Sequence, residues 1–133
     1  MAPEDRSGEK LVIYFYPKDM TSGCTKESQD FRDLHGAFRK AGVRIVGISR
    51  DSLASHEKFK VRDKLPFELL SDEDSKVSTL FDVLHEKSMY GRKFMGIVRS
   101  TFLLDRDGVL QREWRKVKVP GHAEEVLEAA KSL

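Results

Sequence analysis

The chain has 133 residues, of which 35% are charged and 39% are hydrophobic. That is one domain of ordinary size, able to bury a core without disulfides or metals and too hydrophobic for wholesale disorder. The net charge is only +2, and basic residues such as Lys58, Lys60, Arg62 and Lys64 alternate with Glu57 and Asp63, which reads as a solvated face rather than a nucleic-acid stripe. The longest apolar run, residues 11–16, is far short of the roughly 20 residues that span a bilayer. Neither nucleic acid nor membrane is an expected partner.

Cys24 is the single cysteine, so an intramolecular disulfide and a CxxC redox pair are both excluded. His35, His56, His85 and His122 lie far apart with no i, i+4 pair, so no local zinc motif exists. The first ten residues carry no apolar signal region. A reducing, cytoplasmic compartment is the expectation, where a free thiol stays reduced.

Residues 1–9 are polar and expected to be loose. Residues 10–16 form a continuous β-branched and aromatic run, the pattern of a strand buried on both faces, and Pro17 ends it. Residues 23–41 read as one helix, with Phe31, Leu34, Phe38 and Ala41 on one face and Gly42 as the stop. A strand follows at 43–49. Asp51 or Ser52 caps a helix running to about residue 63, and 67–70 is a short strand. Residues 73–84 read as a helix with Val77, Leu80, Phe81 and Leu84 inward and the acids at 72–74 in its first turn. Residues 85–98 show no clean period and read as a long loop. Strands at 100–105 and 109–115 flank a turn at 105–108; Val109 and Leu110 stand where a calcium loop needs a ligand and a glycine. Residues 122–132 form a terminal helix with Val126, Leu127 and Ala130 inward, and Trp114 reads as structural.

Strands separated by helices imply right-handed parallel crossovers, and the late hairpin adds an antiparallel part. The expected fold is α/β: a mixed central sheet with helices on both faces, the layout of a thioredoxin-like fold, in a single domain over 1–133.

Cys24 falls between a strand end and a helix start. Unpaired N–H groups and a partial positive charge at a helix start favour a thiolate over a thiol. That effect is worth about 0.3–1 kcal/mol, so keeping a thiol mostly ionised at pH 7 needs a further cation or strong hydrogen bonds.

Pro17-Lys18-Asp19-Met20-Thr21-Ser22-Gly23-Cys24 has the form P-x-x-x-T-x-x-C. Preceded by Tyr14-Phe15-Tyr16, it resembles the signature of peroxiredoxins, in particular the bacterioferritin comigratory protein or peroxiredoxin Q subfamily. The resemblance continues through Phe31-Arg32-Asp33, residues 47–52, Met89-Tyr90-Gly91 and residues 99–105, so it covers nearly the whole chain from Leu11 onward. It implies a thiol peroxidase acting on hydrogen peroxide and organic hydroperoxides without metal, flavin or haem. Residue by residue, Cys24 matches the peroxidatic nucleophile that becomes a sulfenic acid. Thr21 matches the hydroxyl that bonds the thiolate and the peroxide, Pro17 the shield over the sulfur, and Arg99 the active-site arginine. Charge builds on the departing oxygen as the O–O bond stretches, so Arg99, Thr21 and the backbone N–H groups of Gly23 and Cys24 are the expected stabilisers.

The sequence departs from the subfamily in two ways. Relatives carry a resolving cysteine five residues after the nucleophile, in the next helix, or further on; these positions are Gln29, Lys60 and Ser78 here. The resemblance therefore implies a monomeric one-cysteine form reduced by an outside thiol: thioredoxin, glutaredoxin, a small thiol or a second protein molecule. The family's N-terminal hairpin is also largely missing from the sequence. The absent second cysteine leaves open an alternative, a thioredoxin-like redox sensor or holdase. Met89, Tyr90, Phe94 and Met95 are candidates for an apolar rim that receives alkyl peroxides, or for ordinary core.

Overall fold

The computed structural model describes residues 9–133; apart from Glu9, the segment expected to be loose lies outside them. The elements are β1 (Lys10–Phe15), α1 (Ser22–Asp33), α2 (His35–Lys40), β2 (Val43–Ser49), α3 (Leu53–Asp63), β3 (Glu68–Ser71), α4 (Lys76–Leu80), β4 (Leu84–Met89), β5 (Arg92–Ile97), β6 (Ser100–Leu104), β7 (Leu110–Arg115) and α5 (His122–Lys131). β1 is central in a five-stranded sheet ordered β3-β2-β1-β6-β7. It pairs parallel with β2 and antiparallel with β6; β2 and β3 are parallel, β6 and β7 antiparallel. This is the mixed sheet the pattern predicts.

The period-2 alternation of β1 divides the core. Val12 and Tyr14 face a cluster with Phe31, Phe38, Phe59 and Val126, contributed by α1, α2, α3 and α5. Phe15 faces Val46, Ile48, Val83, Ile97 and Phe102 on the other side, with Val77 and Phe81 packed against them from α4 and its exit. Central packing is tight: a Cβ on Gly47 would lie 2.8 Å from both Tyr14 and Leu69. Helices therefore cover both faces.

Three expectations change. The helix expected over 23–41 is two helices broken at Leu34 (φ −97°, ψ 2°). Phe31 and Phe38 still meet, with ring centroids 5.9 Å apart, so one apolar face runs through the break and periodicity does not register it. The helix expected over 73–84 shrinks to α4, because Asp82 turns left-handed (φ 55°) and Arg115 donates to the Phe81 and Asp82 carbonyls at 3.1 and 2.7 Å. Leu80 is consequently exposed, not inward. Asp72 is buried before α4 and caps it, accepting from the Val77 and Ser78 N–H groups at 3.0 and 2.7 Å. The expected loop at 85–98 is the β4–β5 hairpin, closed by Tyr90 and Gly91, both at positive φ.

Candidate active site

Cys24 is the third residue of α1, at the C-terminal end of β1, and is 1% exposed. The buried stripe of α1 is Cys24, Glu27, Ser28 and Phe31, an i, i+3, i+4, i+7 set that packs onto the sheet. The Thr25 N–H closes a turn on the Thr21 carbonyl at 2.8 Å. The N–H groups of Gly23 and Cys24 precede it, among those a helix start leaves without an intrahelical acceptor.

Arg99 reaches the sulfur from the link between β5 and β6. Its Nη2 donates to Cys24 Sγ at 3.3 Å, and its Nη1 donates to Glu27 Oε1 at 2.6 Å. Burial opposes the guanidinium's charge, but Glu27 and Cys24 outweigh it and raise its pKa further. Gly23 gives Arg99 room, since a Cβ there would lie 3.2 Å from Nη2. Glu27 has one oxygen on Arg99 and one buried oxygen without a partner. Burial pushes its carboxyl up to about 7, against the pull of Arg99.

Lys87 on β4 adds a second positive charge. Its stem crosses Gly96 and its Nζ donates to the Ile97 carbonyl. Burial and then the charge of Arg99 lower its pKa, while Cys24 pulls it upward.

The structure brings Cys24, Arg99 and Gly23 together. Thr21 immediately precedes α1 with extended backbone, and its hydroxyl donates to the Lys18 carbonyl at 2.8 Å. The expectation of a hydroxyl proton aimed at the sulfur is modified accordingly: the tight loop offers a nearer acceptor, and the oxygen keeps its lone pairs for a donor. Pro17 is exposed in the bend that follows β1. Met89, Tyr90, Phe94 and Met95 are exposed on the hairpin rather than in the core, Tyr90 at 98%.

Sequence reasoning missed Glu27 and Lys87. Glu27 had a signal, a charge on the buried stripe of a helix, where an unpaired acid is rare. Lys87 had none, because its segment read as a loop.

A thiol beneath a guanidinium, at the open start of a helix, is suited to nucleophilic attack with charge stabilisation at the departing atom. Comparison with known proteins identifies the family. A family model described as "AhpC/TSA family" matches residues 3–113. The chain is 50% identical over 129 residues to Peroxiredoxin Bcp of Bacillus subtilis, covering 97% of this chain and 82% of that protein. It is 52% identical over 126 residues to Peroxiredoxin Bcp of Xanthomonas campestris, covering 95% and 79%. A structure of the bacterioferritin comigratory protein of Xanthomonas campestris, described in connection with its alkyl peroxide reduction activity, superposes with a TM-score of 0.92 at 50% identity, over 97% of this chain and 82% of that one. The chain belongs to the AhpC/TSA family and, within it, to the Bcp/peroxiredoxin Q group of peroxiredoxins, the thiol-dependent peroxidases.

Proposed function

We propose that this chain reduces hydrogen peroxide and organic hydroperoxides by a one-cysteine cycle at Cys24. The Cys24 thiolate attacks one peroxide oxygen, the O–O bond breaks, and the other oxygen leaves as water or an alcohol after taking a proton. Cys24 is left as a sulfenic acid. An outside thiol condenses with it, releasing water, and a second thiol frees Cys24 while the two reductant sulfurs form a disulfide. The observation that carries this reading is the Arg99 guanidinium 3.3 Å from the sulfur.

Arg99 and the N–H groups of Gly23 and Cys24 stabilise charge on the departing oxygen. Thr21, whose proton is engaged with Lys18, accepts from the peroxide O–H. Pro17 shields the entrance. The reductant is a thiol external to the chain, of the thioredoxin, glutaredoxin or small-thiol kind, because Cys24 is the only cysteine in the sequence. The chain acts as a monomer in this reading, and the lone free thiol fits a reducing cytoplasm. Among the described residues no helix is long and apolar enough to cross a membrane.

Intact-protein mass after a stoichiometric peroxide pulse tests the reading. One added oxygen on Cys24, formed far faster than on free cysteine and removed by one class of thiol, is the expected result. Oxidation at the rate of an ordinary thiol would overturn it.

A further inference from the structure

Two residues before Thr21 the loop carries a buried carboxylate with an unusual number of partners. Asp19 accepts from Tyr16 Oη at 2.6 Å, Ser55 Oγ at 2.8 Å and His56 Nδ1 at 2.7 Å. Its own backbone N–H donates to Asp51 Oδ2 at 2.8 Å, and Ser49 Oγ donates to the same oxygen at 2.5 Å. Residue 19 is thus fixed through both side chain and backbone. Met20 follows at φ 62°, a left-handed conformation that a side chain adopts only where its surroundings over-determine it. Asp19 supplies that constraint from one side and α1, beginning just beyond Thr21, from the other.

The His56 ring stands between two acceptors, Asp19 Oδ2 and the Leu70 carbonyl, the latter 2.9 Å from Nε2. A neutral imidazole has one N–H and cannot donate to both; the imidazolium satisfies both. Around the ring lie Tyr16 and Asp19 from the exit of β1, Asp51 from the exit of β2, and the Leu70 carbonyl from β3. Glu57 and Lys60 of α3 and Glu68 of β3 line, with His56, a surface groove of about 290 Å³. Burial disfavours the charged ring, but the hydrogen bond and charge of Asp19 outweigh burial and raise its pKa. Asp19, Asp51 and His56 offer ligand atoms within 4.8 Å of one another, yet these atoms are engaged in protein hydrogen bonds, so the trio is a tether.

We propose that Asp19 and His56 are a positioning pair for peroxide reduction: the charged imidazole holds the Asp19 carboxylate, and Asp19 holds the Met20–Thr21 corner that sets Thr21 and the first N–H groups of α1 in place. The role rests on the reading of Cys24 as the peroxidatic cysteine. It has a direction in pH. His56 has a raised pKa, so the pair is intact below it and is lost as pH rises through it. A neutral ring must abandon Asp19 or Leu70, and the corner loosens. Thiolate fraction only increases with pH, so the pair imposes an alkaline decline that ionisation of the nucleophile cannot produce.

The test is the second-order rate of Cys24 oxidation by hydrogen peroxide from about pH 6 to about pH 10, with circular dichroism at each pH to register folding. The wild type is expected to slow about tenfold on the alkaline side, the worth of one charged hydrogen bond at a reacting site. In Asp19→Asn the side-chain N–H can donate to a neutral His56 ring that still donates to Leu70, so the alkaline decline disappears. His56→Ala leaves the buried carboxylate short of its charged partner and slows oxidation about tenfold on the acid side of the profile, and the gap to wild type closes as pH rises through the His56 pKa. A wild-type rate that stays flat or climbs, or a decline that persists in Asp19→Asn, overturns the positioning role. Ring-nitrogen NMR shifts of a neutral His56 at pH 6 would do the same without reference to activity. A wild-type Cys24 no faster than free cysteine would instead overturn the parent reading, and the pair's role with it.

Discussion

Two carboxylates flank the start of α1, and their pKa values move in opposite directions from the ordinary carboxylate range. Asp19 and Glu27 each have a side chain only 1% exposed. Burial by itself raises both. Asp19 goes down all the same, because hydrogen bonds from His56, Tyr16 and Ser55 and the charge of His56 overcome burial. Glu27 goes up to about 7, because burial outweighs Arg99, its one hydrogen-bond partner among the described residues, and its other oxygen has none. Both side chains are shielded from solvent, but Glu27 lies deeper and has fewer donors, and the two differences together separate a tether from a titrating neighbour of the sulfur. On the Asp19 side the polar groups are saturated and fix the backbone. On the Glu27 side one acceptor is left free beside the cation that touches Cys24, and the charge there changes near neutral pH.

The strongest way to break this contrast is to remove Arg99, which serves the sulfur and Glu27 together. Arg99→Ala should slow oxidation of Cys24 about 10²–10³-fold, the cost of losing one preorganised donor to developing charge. A free thiol is a few per cent ionised at pH 7, so lost ionisation alone accounts for at most about 30-fold. Rapid-mixing oxidation rates set beside thiolate fractions from ultraviolet absorbance separate the contributions. Equal losses in both would show that Arg99 acts only by holding the thiolate.

Glu27→Gln sharpens the contrast. The folded-state pKa of Glu27 is raised from 4.5 to about 7. Between those values the folded protein holds the proton more tightly than the unfolded chain, so this group's stabilisation is full below about 4.5 and declines as pH rises to about 7. The decline is on the order of 3 kcal/mol at most. Asp19 runs the other way: its folded pKa is lowered, so its stabilisation is present above the unfolded carboxylate range and is lost as pH falls through the folded value. Urea unfolding across the acid and neutral range should show the Glu27 slope in the wild type and its absence in Glu27→Gln. A wild-type curve that matches the variant would place Glu27 as an ordinary ion-pair partner of Arg99.

Gly23→Ala perturbs only the Glu27–Arg99 side. The added Cβ would lie 3.2 Å from Nη2, so the guanidinium must give by a few tenths of an ångström. Such a shift should lower the oxidation rate about tenfold and leave the His56-dependent pH profile intact, checked by comparing rate and profile in one series.

Much of this architecture was legible in the sequence. The alternation and apolar runs of β1, β2 and β6 are strong because those strands are buried, and the P-x-x-x-T-x-x-C spacing located the sulfur at the start of α1. Apart from Glu27, whose charge sits on the buried stripe of α1, the features not legible in the sequence lack a strong local signature. The β4–β5 hairpin presents mostly exposed residues on both faces, so no period-2 pattern arises, and Tyr90-Gly91 is its one turn signal. The end of α4 depends on Arg115, more than thirty residues later. Asp19 and His56 are 37 positions apart, and only the parallel crossovers joining β1, β2 and β3 bring them together.

The smallest expected effects compare two helix starts that look alike in sequence. Ser52 precedes α3 and its oxygen accepts from the Ser55 N–H at 3.1 Å. Thr21 precedes α1 with the same extended backbone, yet makes no side-chain cap. Ser52→Ala should therefore cost about 1 kcal/mol of stability, a melting shift of about 3–5 °C for a chain of this size. Thr21→Val keeps the shape of the side chain and removes a hydroxyl whose bond to Lys18 is exposed, so its melting temperature should move less than that of Ser52→Ala. Its oxidation rate should fall nonetheless, because a methyl group cannot accept from the peroxide, while Thr21→Ser should restore most of the rate. If Thr21→Val instead melts as low as Ser52→Ala and oxidises at the wild-type rate, Thr21 is a helix cap, and the acceptor for the peroxide proton lies elsewhere in the site.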